Sequence, residues 1–145
     1  MQVMTTLPQE NLNDVPQAAR NAEMVGFDMV ATMENRYEPF MPLAAAAIST
    51  KTINIGTAVA IAFPRSPMVV ASTCWDLNNA SGGRFVLGLG PQIKPHNEKR
   101  FSVPWSPPAP RIREYVMALR AIWKNWEHGE KLDFRGEHYT FTLMT

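Results

Sequence analysis

The sequence predicts an α/β fold of the (β/α)8 TIM-barrel type, present as its first four βα units and a terminal β-hairpin, a half-barrel. Three observations lead there. Strand-like and helix-like stretches alternate as βαβαβαβα, with strand starts recurring every ~25–30 residues, the pattern of a parallel sheet with right-handed crossovers. The third strand, TINIGTAVAIAF, sets Ile53, Ile55, Thr57, Val59, Ile61 and Phe63 on one face and Asn54, Gly56, Ala58, Ala60 and Ala62 on the other. A face of large residues backed by a face of small ones suits an interior filled in layers. The fourth strand ends in glycines. An open doubly wound sheet is the alternative, but LPQENLND after strand one holds no glycine for a nucleotide loop.

The elements follow in order. MQVMTTLP is a short first strand closed by Pro8. Asn13 or Asp14 caps the first helix, Pro16 stands in its first turn, and Val15, Ala18, Ala22 and Val25 share a face up to Gly26. FDMVATM is strand two, and PLAAAAIST is a helix rich enough in alanine to demand close packing. Ser66-Pro67 opens helix three, which carries Val70, Cys74 and Leu77 to Gly82. Strand four runs from Arg84 to Leu89. A loop of 18 residues, QIKPHNEKRFSVPWSPPA, precedes helix four, Pro110 to His128, on which Ile112, Tyr115, Val116, Leu119, Ile122, Trp123 and Trp126 recur at helical spacing. KLDFRGEHYTFT reads as a hairpin turning at Arg135-Gly136.

The chain of 145 residues is one domain by length, with 46% hydrophobic and 19% charged residues and a net charge of +1. That balance excludes a nucleic-acid or membrane-surface footprint. The scarcity of charge suggests surfaces meant to be covered. A single cysteine, Cys74, permits no internal disulfide and fits a reducing compartment, so the expected location is cytoplasmic. His128 and His138 have no companion at metal-ligand spacing, so no metal is expected. Cys74 lies on an apolar helical face, which argues against a nucleophile.

The stretch SGGRFVLGLGPQ fits neither of two phosphate-binding loops. A dinucleotide fingerprint from Gly88 needs glycine at 93, where Ile93 stands. A P-loop from Gly83 needs Lys-Ser/Thr at 89–90, where Leu89-Gly90 stands. Both fail, leaving a turn at Ser81-Gly82-Gly83, a strand from Arg84 to Leu89 and a glycine-rich strand end.

Taken together, IGTAVAIAFPRSP, SGGRFVLGLG, AEMVGFDMVATMEN, REYVMALRAIW and FRGEHYTF resemble the luciferase-like flavin and deazaflavin oxidoreductases, collinearly along essentially the whole chain. The similarity points to the branch that uses the deazaflavin coenzyme F420, a hydride carrier; an FMN-dependent monooxygenase is the alternative within the same fold. The resemblance also implies a barrel about twice this length. The expectation is therefore a truncated chain lacking its C-terminal half, with a homodimer or half-barrel assembly as the other reading. The alternative of another class is a non-catalytic half-barrel, either a gene fragment or an assembly subunit. A small-molecule substrate is implied, with no nucleic-acid or membrane partner.

Barrel sites lie at the C-terminal ends of the strands. By resemblance, the coenzyme residues are Ala58 and Val59, where the family carries a non-prolyl cis peptide behind the ring, with Glu34, Asn35, Gly88, Gly90, Gln92 and Arg65. Gly88 and Gly90 are read as letting a flat ring approach the backbone. Glu34 and Asn35 are the candidate catalytic residues. Asn35 stands where relatives have histidine, so its role is a hydrogen bond to the ring, with Glu34 orienting it or moving a proton. Gln92-Ile93 replaces a glycine-glutamate pair, which removes a catalytic glutamate. Lys94, His96, Lys99 and Arg100 read as a solvated basic loop, with a coenzyme phosphate or acidic tail as the alternative partner. Trp105 is a lid or a packing anchor, and Trp123 and Trp126 are core. Arg84 lies at the opposite end of the strands and is structural.

Overall fold

A computed structural model describes residues 1–143 of the chain. It divides into two units, Met1–Ala60 with Thr73–Leu89, and Ile61–Ser72 with the chain from Gly90 onward.

In the first unit, β1 (Met4–Thr6), β2 (Met29–Thr32), β3 (Asn54–Thr57) and β5 (Phe85–Val86) form a parallel sheet in that order. The register pairs Thr5 with Val30, Val30 with Ile55, and Ile55 with Phe85. Each new strand joins the same edge. A doubly wound sheet would reverse direction after its first strands, so the sequential order is that of a barrel wall.

Helices α1 (Val15–Val25) and α2 (Phe40–Ser49) connect these strands. Val15, Ala19 and Ala22 form the buried stripe of α1, and Val25 is 73% exposed. The helix packs through an i, i+4, i+7 row, so Ala19 takes the place expected of Ala18, and Val25 at the helix end is exposed. Pro16 opens α1, and Gly26, at φ 94°, closes it with its N–H on Ala22 and Glu23 carbonyls. Asp14 makes no side-chain cap; Asn11 instead caps the preceding 3-10 turn, Leu12–Asp14, through the Asn13 N–H. The alanines of α2 serve packing: Leu43, Ala46 and Ala47 are buried, and Glu38 Oε2 caps the helix, accepting from the N–H groups of Phe40 (2.7 Å) and Met41 (2.8 Å).

Two further devices tie the strand starts. Glu23 Oε1 accepts from the N–H groups of Lys51 (2.8 Å), Thr52 (2.6 Å) and Ile53 (3.0 Å) and from the Thr52 hydroxyl (3.0 Å). Burial alone would raise its pKa, but the backbone donors from Thr52, Ile53 and Lys51 and the Thr52 hydroxyl outweigh it and hold the carboxyl at about 2. A depressed folded-state pKa contributes stability above the ordinary value of 4.5, and that contribution is lost as pH falls toward about 2. A Glu23→Gln variant is therefore expected to lose less stability than the parent across that window. Equal losses for both proteins between about pH 5 and about pH 3, read from urea midpoints, would refute the assignment. Arg84 is the second device. Its guanidinium donates to the Ser81, Ile53, Ala47 and Thr50 carbonyls and to Thr50 Oγ1, joining the end of α2 to the turn before β5.

The predicted third strand is two segments, β3 and β4 (Ala60–Ile61), and the fourth is likewise β5 and β6 (Leu89–Gly90). Alternation fails at the interruption: Val59 is 43% exposed, whereas Ala60, Ile61, Ala62 and Phe63 are all buried. Helix α3 (Pro67–Ser81) buries Val70, Cys74 and Leu77, as its spacing requires. Burial raises the Cys74 thiol to about 12, which keeps it protonated and inert.

In the second unit, the 18-residue loop contains a helix the sequence reading missed, α4 (Lys94–Lys99). Pro95 occupies its first turn, and Asn97, fully buried, donates from Nδ2 to the Pro91 (3.0 Å) and Ile93 (3.1 Å) carbonyls, tying the helix to the segment before it. Helix α5 (Pro108–His128) begins two residues earlier than expected, with Tyr115, Ala118, Leu119 and Ile122 buried. Trp123 and Trp126 are half-buried rather than fully core, and the indole of Trp123 donates to the Ala71 carbonyl at 3.1 Å. The hairpin β7 (Phe134–Arg135) and β8 (Thr140–Phe141) is antiparallel, and its turn extends over 136–139. Glu114 on α5 holds that turn, accepting from the N–H groups of Glu137, His138 and Tyr139 at 2.8–3.1 Å.

Candidate ligand site at the strand ends

The first unit gathers four of the expected residues around the interruption after β3. The Ala58–Val59 peptide is cis, an isomer that the residue letters cannot reveal. Its neighbours on the β2 side are backbone: Ala58 N–H donates to the Thr32 carbonyl (2.7 Å), and Glu34 N–H donates to the Val59 carbonyl (3.3 Å). On the other side Ala60 N–H donates to the Gly88 carbonyl (2.8 Å). Glu34, Ala58, Val59 and Gly88 are thus joined through one set of hydrogen bonds. The Val59 side chain remains 43% exposed, between Thr57 at 3% and Ala60 at 1%. An exposed β-branched side chain beside a small, half-buried Ala58 makes an apolar shelf.

Glycine at 88 has its reason on the neighbouring strand. A Cβ there would overlap the Thr57 carbonyl, so the two backbones meet closer than any side chain permits.

Beside the shelf, the loop after β2 is pinned by Thr32, whose buried hydroxyl donates to the Pro39 carbonyl at 2.7 Å. The loop and the segment after β1 enclose a cleft of about 270 Å³ lined by Gln9, Glu10, Met33, Asn35, Arg36 and Tyr37, among others. Gln9 Oε1 accepts from the Met33 N–H (3.2 Å), and the Arg36 guanidinium lies 5.5 Å from the Tyr37 ring centre. Glu34 is 9% exposed, whereas Asn35 is exposed and lines the cleft. Gln9, Arg36 and Thr57 were not singled out in the sequence. For the first two the available signal was position alone, immediately beyond a strand end.

The remaining expected residues belong to the second unit. Gly90 is buried, and its carbonyl accepts from Ala62 N–H at 2.9 Å. Gln92 adopts φ 60° and accepts the Ile93 N–H on its own side-chain oxygen at 2.9 Å. Arg65 folds back, donating from Nη1 to the Ile61 carbonyl at 2.9 Å. Arg111 lies 4.3 Å from the Phe63 ring centre and donates to the Tyr139 hydroxyl and the Pro104 carbonyl, both at 3.1 Å, which anchors the loop carrying Trp105. Lys94, His96, Lys99 and Arg100 are exposed on or beside α4; Lys94 reaches Glu98 at 3.9 Å, and Arg100 lies over Phe101. Among the described residues, no group of three His, Cys, Asp or Glu is arranged to hold a metal ion, and no helix is long and apolar enough to cross a membrane.

A sequentially ordered parallel sheet, with an exposed apolar residue and a cleft beside its strand ends, is that of a partial (β/α) barrel. The chain belongs to the luciferase-like monooxygenase family, whose model matches residues 1–145. It is 54% identical over 128 residues to an uncharacterized protein of Mycobacterium tuberculosis, covering 88% of this chain and 38% of that protein. It is 29% identical over 137 residues to the 5,10-methylenetetrahydromethanopterin reductase of Methanolobus tindarius, covering 93% and 40%. A second M. tuberculosis protein, provisionally named a coenzyme F420-dependent oxidoreductase, is 32% identical over 140 residues, covering 94% and 38%. Among solved structures, the FMN complex of a type II Baeyer–Villiger monooxygenase from Pseudomonas putida superposes with a TM-score of 0.81 at 18% identity, over 100% of this chain and 45% of that one. The coenzyme F420-dependent tetrahydromethanopterin reductase of Methanopyrus kandleri superposes at 0.76 with 22% identity, over 97% and 47%. The chain spans about two-fifths of the length of these curated relatives, 38–40%.

Proposed function

We propose that the protein is an oxidoreductase that transfers hydride with the deazaflavin coenzyme F420 on a small organic substrate. The observation that carries this reading is the shelf: Val59, 43% exposed between buried Thr57 and Ala60 and beside half-buried Ala58, with Glu34 bonded to its carbonyl through the main chain. A flat ring needs an apolar surface on one face and hydrogen-bonding groups at its edge, and Ala58, Val59 and the Asn35 amide offer both. The bound coenzyme supplies the hydride carrier, and the protein supplies position. Val59 and Ala58 support the ring face, and Asn35 hydrogen-bonds a carbonyl or hydroxyl at its edge. The low-exposure Glu34 carboxylate orients that edge or moves a proton. Gln9 and Arg36 bring donors to the cleft, where the polar end of the substrate binds. Gly90, Gln92 and Arg65, the other residues expected by resemblance, belong to the second unit.

The named relatives above 25% identity support reductase chemistry and, in one case, F420. The FMN reading keeps the same shelf, and the superposition on an FMN complex is its support. A fluorescence titration of the purified protein with F420 and, separately, with FMN separates the two, since the chromophores absorb at different wavelengths. Saturable binding of F420 is expected. Binding of FMN alone would move the protein to the monooxygenase reading, and binding of neither would overturn both.

A further inference from the structure

We propose that Thr57 is a positioning residue of the coenzyme shelf, its hydroxyl standing in for the strand pairing that lapses on either side of Ala58–Val59. The inference rests on the coenzyme reading above. The backbone register of β3 on β5 pairs Ile55 with Phe85 and Gly56 with Val86, and stops there. At the next step the Thr57 hydroxyl takes both roles of a backbone rung. Its Oγ1 donates to the Gly88 carbonyl at 2.7 Å and accepts from the Gly88 N–H at 2.9 Å. Backbone pairing resumes when Ala60 N–H donates to the same Gly88 carbonyl at 2.8 Å.

Residues 57 and 60 flank the two shelf residues, so both ends of the shelf converge on one carbonyl. On the opposite side, main-chain bonds to Thr32 and from Glu34 hold the shelf. A hydroxyl can donate and accept at once, which neither valine nor alanine can do. Thr57 is 3% exposed, so it acts through the shelf and does not touch the ligand.

Valine keeps the branched shape and removes both hydrogen bonds, leaving the Gly88 N–H without this acceptor. Each such bond has a net worth of about 0.5–1.5 kcal/mol. Ligand binding to the relaxed shelf must then restore the arrangement, and a loss of about tenfold in affinity corresponds to one such bond.

The test titrates the protein, Thr57→Val and Thr57→Ser with F420 and with FMN, alongside thermal melts. The expected result is a Kd raised about tenfold in Thr57→Val and within about threefold of the parent in Thr57→Ser, which retains the hydroxyl. A lower melting temperature for Thr57→Val with unchanged Kd would show a merely structural threonine and overturn the inference alone. A serine variant as weak as valine would do the same. If the parent protein binds neither coenzyme, the coenzyme reading fails and takes this inference with it. Hydrogen exchange at the Gly88 amide of the unmodified protein covers the case in which valine prevents folding: saturation with coenzyme is expected to slow that exchange, and no change would overturn the proposal.

Discussion

Replacing Arg84 with alanine is expected to destabilise the protein by about 3 kcal/mol while leaving coenzyme affinity unchanged. The side chain is half-buried and makes five hydrogen bonds, to the carbonyls of Ala47, Thr50, Ile53 and Ser81 and to the Thr50 hydroxyl. Ala47 and Thr50 lie at the C-terminal end of α2, where the last carbonyls have no intrahelical partner and carry the negative end of the helix dipole. A guanidinium answers both needs, and it also bonds Ile53, which leads into β3, and Ser81, which ends α3. Truncation strands several acceptors at once, although water reaches some of them and limits the loss. Lysine at 84 offers one compact ammonium in place of a planar fork and should recover only a fraction. The measurement is urea unfolding, with a midpoint lowered by on the order of 1–2 M at unchanged slope. A midpoint within error of the parent would show that the network is idle. The coenzyme titration belongs in the same experiment, because Arg84 sits at the N-terminal ends of the strands and the shelf at the other. Loss of affinity at a temperature where the variant remains folded would contradict that separation.

The placement of Arg84 at one end of the strands and of Ala58–Val59 toward the other was legible in the sequence, since strand direction follows from the strand–helix alternation. Turn and stop signals carried most of the rest: Pro16 and Gly26 bound α1, Pro67 opens α3, and Gly129 caps α5 at φ 68°. What escaped was encoded non-locally. Thr57 reads as one more β-branched strand residue, and its function appears only when Gly88, 31 residues away, arrives beside it. Alternation alone does not locate the interruption of the predicted strands, because GTAVAIAF alternates throughout; only the resemblance marked Ala58–Val59, where the peptide is cis. Helix α4 was obscured for a different reason. Its own signals, Pro95 in the first turn and Lys94 spaced four from Glu98, are swamped by a segment with five prolines between 95 and 110. Buried Asn97, which bonds two carbonyls of its own loop, supplies the order that composition denies.

Gly88→Ala is expected to cost about 1–3 kcal/mol and, unlike Arg84→Ala, to weaken coenzyme binding at least about tenfold. The obstacle is backbone. A Cβ at 88 falls on the Thr57 carbonyl, and no flexible side chain can yield, so the two strands must part at that point. Parting them lengthens the bonds from Thr57 Oγ1 and Ala60 N–H to Gly88, the pair that brackets the shelf. Gly82→Ala is the control: its φ of 65° makes alanine unfavourable, yet open space surrounds the added carbon and the turn lies away from the strand ends. Both substitutions should therefore lower stability, and only Gly88→Ala should raise Kd. The double variant Thr57→Val, Gly88→Ala sharpens the comparison, because residues acting through one contact give non-additive losses. Once alanine has separated the strands, removing the hydroxyl has little left to remove, and the Kd of the double variant should match that of Gly88→Ala alone. Additive losses would mean that glycine and hydroxyl act on the shelf by separate routes, and the close approach of the strands would then not explain why position 88 holds glycine.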